Sequence, residues 1–536
     1  MLKWCPLRNY THYSLLKGFS KPNELASKCK ENGYTACGIA DYKTISGAVA
    51  FYKACKANGI KPIIGCSFDG FTLFSKNKDG WHDLIELVSS LDENGDIVQN
   101  SLVKILNRQN LHNIPHTVVL LPASYYTQEK DATLHRILLC SELKTTLPKI
   151  NKQINKGELS KELVYQFTHD DLCVWSRNTA ENALKVSSDK NIQYINDIIN
   201  TCEEYNILSK PVLPVFPCPG KKSEEDYLKQ LCRDGWKNLL INNNKVKNEE
   251  DKKKYAERFD SEFNIIRGAN LFGYFLIVHD IINYVNTQGW LSGPGRGSAA
   301  GCLISYLIGI TQIDPLEFDL LFSRFYNEGR NTADHISLPD IDMDVPAKRR
   351  DDVLLYLNTK YGNDHVSQMI TFGRLQGRSA IKEVLRVNEA CSFAEMNTIT
   401  KSIPNEADIS DQLADMDDND RSIIRWALIN NATDLRDFCY IDENGELAGN
   451  YANYFDQAIR IEGTFKTQGK HAAGVVISSM PLKTVCPMVK QKGSLEKIAG
   501  LEMSDLEALG HVKFDILGLS LLDKLMYISS LTEHKI

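Results

Sequence analysis

Several things this chain lacks narrow what it can be. Its fourteen cysteines, from Cys5 to Cys486, include no C-x-x-C pair. A disulfide framework or zinc ribbon is therefore not expected, and the thiols read as reduced side chains of a cytoplasmic protein. No segment approaches the roughly 18 consecutive apolar residues of a membrane span, and the amino terminus lacks the apolar core of a secretory signal. Positive charge is not in excess: 62 Lys and Arg stand against 68 Asp and Glu, a net charge of −6. Any nucleic-acid surface must then be local. No glycine-rich turn is followed by the Gly-Lys-Ser/Thr of a Walker loop. What remains is ordinary globular composition, 43% hydrophobic and 24% charged over 536 residues, enough for three or four domains.

The most informative stretch runs from Leu338 to Val345. In an extended strand alternate side chains share a face, so Asp340, Asp342 and Asp344 point one way and Ile341, Met343 and Val345 the other. Neighbouring carboxylates repel unless cations lie between them. Pairs of hard divalent ions with oxygen ligands are the usual remedy, set about 3.5–4 Å apart where they drive phosphoryl transfer. A polar edge strand or acidic turn would carry the same bare Asp-x-Asp pattern.

Upstream, helix and strand signals alternate. Pro22 to Asn32 and Gly47 to Asn58 read as helices, Ala36 to Ala40 and Ile60 to Cys66 as strands, which argues for a parallel α/β layer or barrel. Polar loops are expected around Asp92 to Gln99 and Lys149 to Lys161. Prolines are too dense between Pro211 and Pro219 for helix or central strand, which marks a linker. Lys245 to Lys254 reads as a solvated stretch and Phe272 to Val278 as a compact apolar run. At Gly293-Pro294-Gly295-Arg296-Gly297-Ser298 the glycines let backbone approach a ligand, and Ser298 suits the N-cap of a following helix. The free amides of that helix start, with Arg296, would cradle a triphosphate; a plain turn is the competing reading.

Downstream, Arg350 to Tyr361 reads as an amphipathic helix with Val353, Leu354 and Leu357 inward. A second helix is expected to carry Arg374, Arg378, Lys382 and Arg386 at four-residue spacing. One face would then suit a row of phosphates, or simply water. Asn388 to Asp456 looks acidic and helical. His471 reads as a packed or substrate-positioning imidazole. The last strand, His511 to Gly518, alternates Val512, Phe514 and Ile516 against Lys513 and Asp515.

Tyr13 to Gly18, Gly47 to Tyr52 and Gly59 to Gly65 resemble blocks of the polymerase-and-histidinol-phosphatase (PHP) domain, a metal-dependent phosphoesterase fold. That family's His-x-His-Ser falls here on Arg8, Asn9, Tyr10 and Thr11, its Asp-His on Asp41 and Tyr42, and its Glu on Ser67. The resemblance thus implies a PHP-like α/β barrel over residues 1–210 whose metal ligands are degenerate, so no metal is expected there. His12, off the ligand pattern, is expected at the surface.

Gly293 to Gly301, Gly309 to Leu316, Leu320 to Phe325, Pro339 to Asp344 and Ile370 to Gly373 follow the order found in bacterial C-family replicative DNA polymerases, the polymerase III alpha type. Gly469 to Ser478 and Lys513 to Gly518 resemble two further blocks of that family. The resemblance implies a palm of the polymerase beta nucleotidyltransferase type, in residues 211–375 and 466–536, with a helical thumb inserted at 376–465. It makes Asp342, Asp344 and Asp515 the catalytic carboxylates and ligands of two Mg²⁺ ions, with Asp340 as support. Arg296, Gly297, Ser298 and Lys513 become nucleotide contacts.

The expected activity is template-directed addition of deoxynucleotides to a primer 3′-hydroxyl. The partners are primer-template DNA and deoxynucleoside triphosphates, in the cytoplasm of a bacterial cell, phage-infected or not. The family continues after this point into fingers and carboxy-terminal domains. The chain is therefore expected to be part of a split polymerase needing a second polypeptide, a fragment, or a shortened viral version. A non-catalytic primer-template or nucleotide-binding subunit is the alternative, and a PHP-type phosphoesterase the third reading.

Overall fold

The computed structural model describes residues 4–92, 95–97, 99–116, 122–187, 189–327, 329, 338–417, 420–490 and 496–532. The polar loop read around Asp92 to Gln99 lies partly outside them. The chain divides into two compact units, residues 1–207 with 371–469, and residues 208–370 with 470–536.

In the first unit the helix Pro22–Glu31 begins on its proline, where the missing N–H costs nothing. Strand β1 (Ala36–Tyr42) is followed by the helix Ala48–Asn58, which Gly59 ends at φ +69°. Strand β2 (Lys61–Phe68) then pairs parallel to β1, as the alternating pattern implies. The sheet next changes character. Asp69 and Gly70, the latter at φ +86°, make a tight turn into β3 (Phe71–Ser75), and β4 (Leu111–Pro115) adds beyond it, both antiparallel. Among the described residues these strands make a four-stranded sheet, parallel in its first pair and antiparallel in the next two, the two-residue hairpin reversing the chain direction. The rest of the unit is largely helical. Helices Ala132–Glu142, Gly377–Asn388, Ile423–Asn430 and Ala452–Ile461 bury Leu138, Ile381, Ile424 and Phe455 in one core.

The second unit is built on a sheet whose order is Met488–Lys490, Lys497–Ala499, Val366–Arg374, Phe465–Ile477, Val512–Leu519, Asp342–Pro346. The Val512–Leu519 strand runs parallel to the edge strand Asp342–Pro346 and antiparallel to Phe465–Ile477. Helix Phe272–Thr287 belongs to the core, with Phe275, Leu276, Ile277 and Val278 all fully buried. Helix Arg350–Tyr361 turns Val353 and Leu357 inward, at the spacing expected of an amphipathic helix. No single helix among the described residues is long and apolar enough to cross a membrane. Glu249–Gly268 and Phe272–Thr287 reach that composition only together, across a 112° bend.

Candidate functional site

Regular strand structure begins at Asp342, not before Asp340. Because the Asp342 and Asp515 strands pair in parallel, those two residues are register partners. Asp340, just ahead of the strand, brings its carboxylate to the same place: ligand oxygens of Asp340, Asp342 and Asp515 all lie within 4.8 Å of one another. Lys513, two residues before Asp515 and therefore on the same face, sets its ammonium 2.5 Å from Asp515 and 3.9 Å from Asp340. Burial raises the Asp340 pKa; Lys513 opposes this, while the carboxylates of Asp515 and Asp342 reinforce it. Asp515 Oδ1 is buried without a hydrogen-bond partner. Three convergent carboxylates with an unpaired buried oxygen form a donor set that suits a hard divalent cation, so Mg²⁺ fits these residues.

Asp344 stands apart from that cluster. Its carboxylate lies 3.2 Å from Arg296 Nε, and the same guanidinium reaches Asp342 Oδ1 at 3.4 Å. The glycine turn is pressed against this strand. Gly293 N–H donates to the Asp344 carbonyl at 3.0 Å, and a Cβ on Gly293 would lie only 2.6 Å from Asp344 Cβ. Glycine at 293 is thus required by close approach.

The helix expected to start at Ser298 is displaced. Arg296 precedes a 3-10 turn over Gly297–Gly301, and the helix Leu303–Leu307 starts only after Cys302, whose Sγ accepts from Ser305 N–H. The amides of Leu303 and Ile304 donate to buried Glu262, each at 3.1 Å, and Glu262 is itself paired with Arg258 at 2.6 Å. The helix start expected to face a phosphate therefore faces an internal carboxylate, which its dipole and Arg258 stabilise. Arg296, Gly297 and Ser298 are exposed.

Three positions around the carboxylates were not singled out from the sequence for this site. Tyr274 is 2% exposed and stacks on Phe514 at 5.4 Å. Its hydroxyl accepts the Ile341 N–H at 3.3 Å, which ties the back of the acidic segment to the Asp515 strand. The one hydroxyl in the otherwise nonpolar run Phe272 to Val278 was the available signal. Arg350 donates to the carbonyls of Ile516 and Ala473, at 2.8 and 3.3 Å, binding the Asp515 strand to its neighbour. Gly474 lies opposite Asp515 and donates its N–H to His471 Nδ1 at 2.8 Å. Nδ1 of His471 is thus an acceptor, on a half-buried ring.

Of the four expected basic residues, Arg378, Lys382 and Arg386 share one helix at four-residue spacing and Arg374 does not. Arg374 belongs to the Val366–Arg374 strand and stacks on Phe465 at 5.0 Å; the helix starts at Gly377. On that helix Arg378 donates to the Ile403 and Lys401 carbonyls. Lys382 donates to Asn397, and Arg386 to Glu383 and the Thr145 carbonyl. These cations are engaged within their own unit because their neighbours supply carbonyl and carboxylate acceptors. Lys245, read as solvated, likewise pairs with buried Asp314 at 3.0 Å.

In the first unit Asp41 is buried and accepts from Thr11 N–H at 2.6 Å and from the hydroxyls of Thr11 and Ser14 at 2.7 Å each. Burial pushes its pKa up to about 6. His12 is not at the surface. It is 8% exposed and stacked on Phe465 at 4.1 Å, with Tyr13 edge-on to it and Phe372 packed in turn on Tyr13 and Phe465.

Comparison with known families supplies the class of protein. Residues 6–137 match the PHP domain, and residues 226–518 match the bacterial DNA polymerase III alpha NTPase domain. The second match covers more than half of the chain, and the chain belongs to the bacterial DNA polymerase III alpha family. Similar curated proteins are the DNA polymerase III subunits alpha of Halalkalibacterium halodurans, Buchnera aphidicola and Bacillus subtilis. Each is 28% identical, over 95%, 100% and 99% of this chain and 48%, 49% and 49% of the relative. The chain spans about half the length of these relatives.

Proposed function

We propose that this chain is the catalytic portion of a DNA-directed DNA polymerase, extending a primer 3′-hydroxyl with deoxynucleotides by phosphoryl transfer. Residues 211–375 and 466–536 would form a palm of the polymerase beta type, 376–465 a thumb, and 1–210 a PHP-like domain without metal. The observation that carries the reading is the convergence of Asp340, Asp342 and Asp515 from two stretches far apart in sequence. Two Mg²⁺ ions, when bound, supply activation of the primer hydroxyl and charge neutralisation on the triphosphate.

The protein side of that chemistry follows from the contacts. Asp342, as register partner of Asp515, and Asp515, with its unpaired buried oxygen, are the central ligands. Arg296, with 47% of its side chain exposed, exchanges Asp344 for a phosphate oxygen of the incoming nucleotide, which frees Asp344 as a further ligand. Lys513 balances Asp515 and Asp340 beforehand and can turn to a phosphate. Gly297 and Ser298 line the same approach. The cations Arg374, Arg378, Lys382 and Arg386 would meet DNA only by giving up present partners, so their contribution to binding is expected to be small.

The remaining half of the relatives, from the same or a second polypeptide, is proposed to supply the fingers. The test is Mg²⁺-dependent primer extension by this chain mixed with the carboxy-terminal half of a relative. Asp342→Asn and Asp344→Asn are each expected to lower the rate by roughly a thousandfold or more, the loss of several kcal/mol of charge stabilisation. Extension that survives both changes refutes the reading.

A further inference from the structure

The guanidinium of Arg296 lies across two carboxylates of the acidic segment, 3.2 Å from Asp344 and 3.4 Å from Asp342. Among the described residues those carboxylates are its only partners. The turn that carries it is anchored just upstream, where Gly293 N–H donates to the Asp344 carbonyl at 3.0 Å and Gln312 N–H to the Pro294 carbonyl at 2.8 Å. Beyond that anchor Gly295 and Gly297 flank Arg296 at φ +98° and +62°, left-handed values that glycine adopts without strain. Arg296 keeps 47% of its side chain exposed and Asp344 only 7%. The cation is thus the outer member of the pair.

A buried carboxylate needs a counter-charge, and among the described residues Arg296 is the one ion-pair partner of Asp344. A divalent ion can meet the same need by direct coordination at about 2.0–2.6 Å. The two exclude each other. Asp342 and Asp344 share one face of the strand, the guanidinium spans both, and its charge repels a second cation placed between them. The other cation of the site is less accessible: Lys513, paired with Asp515 at 2.5 Å, is 10% exposed. A phosphate group in solvent therefore reaches Arg296 first.

We propose that Arg296 is a latch on the metal centre. It competes with divalent ions for Asp342 and Asp344, and a nucleotide releases it by drawing the guanidinium into a bidentate contact with phosphate oxygens. Metal ions and nucleotide then bind cooperatively, each raising the other's affinity by the same factor. The latch rests on the reading of Asp342, Asp344 and Asp515 as metal ligands and adds what controls their filling.

The test is Mn²⁺ binding to the full chain, followed by electron paramagnetic resonance, first without nucleotide. Arg296→Gln is expected to bind Mn²⁺ about tenfold or more tightly than the parent, because the competing cation is gone. Arg349→Gln removes the same charge from a residue paired with Asp352 at 3.3 Å and should leave the affinity within about twofold, a screened surface effect. Mn²⁺ should also raise the melting temperature of Arg296→Gln more than that of the parent, since the ion replaces the lost counter-charge. A deoxynucleoside triphosphate, with the Mn²⁺ it binds by itself subtracted, should narrow the gap between parent and Arg296→Gln. The latch is overturned if Arg296→Gln binds Mn²⁺ no more tightly than the parent, if Arg349→Gln gains as much, or if nucleotide leaves the gap unchanged. Failure of the underlying reading looks different: Mn²⁺ binding is then the same in Asp515→Asn as in the parent. Weaker binding in Asp515→Asn without tighter binding in Arg296→Gln sinks the latch alone.

Discussion

His12 sits in an aromatic box, and burial there holds its pKa down at about 3. Burial likewise holds His112, His116 and His135 down at about 4. Each of these rings is neutral when folded and takes up a proton more readily once unfolded. The stability they contribute is therefore complete above their unfolded pKa near 6.5 and is lost as pH falls toward 4. Asp41 works the other way. Its folded pKa of about 6 lies above the ordinary carboxylate value, so its cost to stability shrinks on acidification. Burial also holds His279 and His511 down and pushes Glu262, Asp340 and Glu462 up, so six histidines stand against four acids. The expected result is a fall in the urea midpoint between pH 6.5 and 4.5, flattened in His12→Leu, and a midpoint that rises over that window contradicts the assignment. Glu262→Gln leaves the Arg258 guanidinium without its buried counter-charge and should cost about 3–5 kcal/mol in urea unfolding. None of this was legible in sequence. Phe465, on which His12 stacks, lies hundreds of residues away, and nothing local marks Glu262 as the acceptor of two amides.

The glycine turn and the acidic strand behave as one piece, since the turn touches Asp344 through Gly293. Gly293→Ala places a methyl 2.6 Å from Asp344 Cβ and must move one of the two. The expected result is destabilisation of about 1–3 kcal/mol together with loss of primer extension, read by urea unfolding and by the extension assay. An alanine variant with unchanged midpoint and rate would show that the approach is looser. Elements with a strong repeat were readable. The Val512–Leu519 strand keeps its alternation, and the helices from Pro22 and Arg350 begin where their signals stand. Misreadings arose where a neighbour overrode the local signal. Cys302 and Glu262 move the helix start past Ser298. Arg374 continues a strand although its spacing fits a helix. The strands Tyr440–Ile441 and Leu447–Ala448 pair around Asn444-Gly445, a turn pair that marks a hairpin but sits inside a stretch read as helical.

Across the whole molecule, family membership was legible because its marks are short ordered blocks spread over both ends of the chain. Residues 75–190 carry few such marks and were silent. What sequence order could not supply was the choice among four aspartates. Alternation groups Asp340, Asp342 and Asp344, whereas strand pairing across the sheet brings Asp515 to Asp342 and leaves Asp344 with Arg296. The most direct measurement is Mn²⁺ binding to this chain by electron paramagnetic resonance, with a deoxynucleoside triphosphate present and Asp515→Asn as the comparison. The account expects ions bound at the carboxylates of the parent chain, with binding weakened about tenfold or more in Asp515→Asn. Identical Mn²⁺ binding in the two proteins would mean that the distant stretches do not build one metal site.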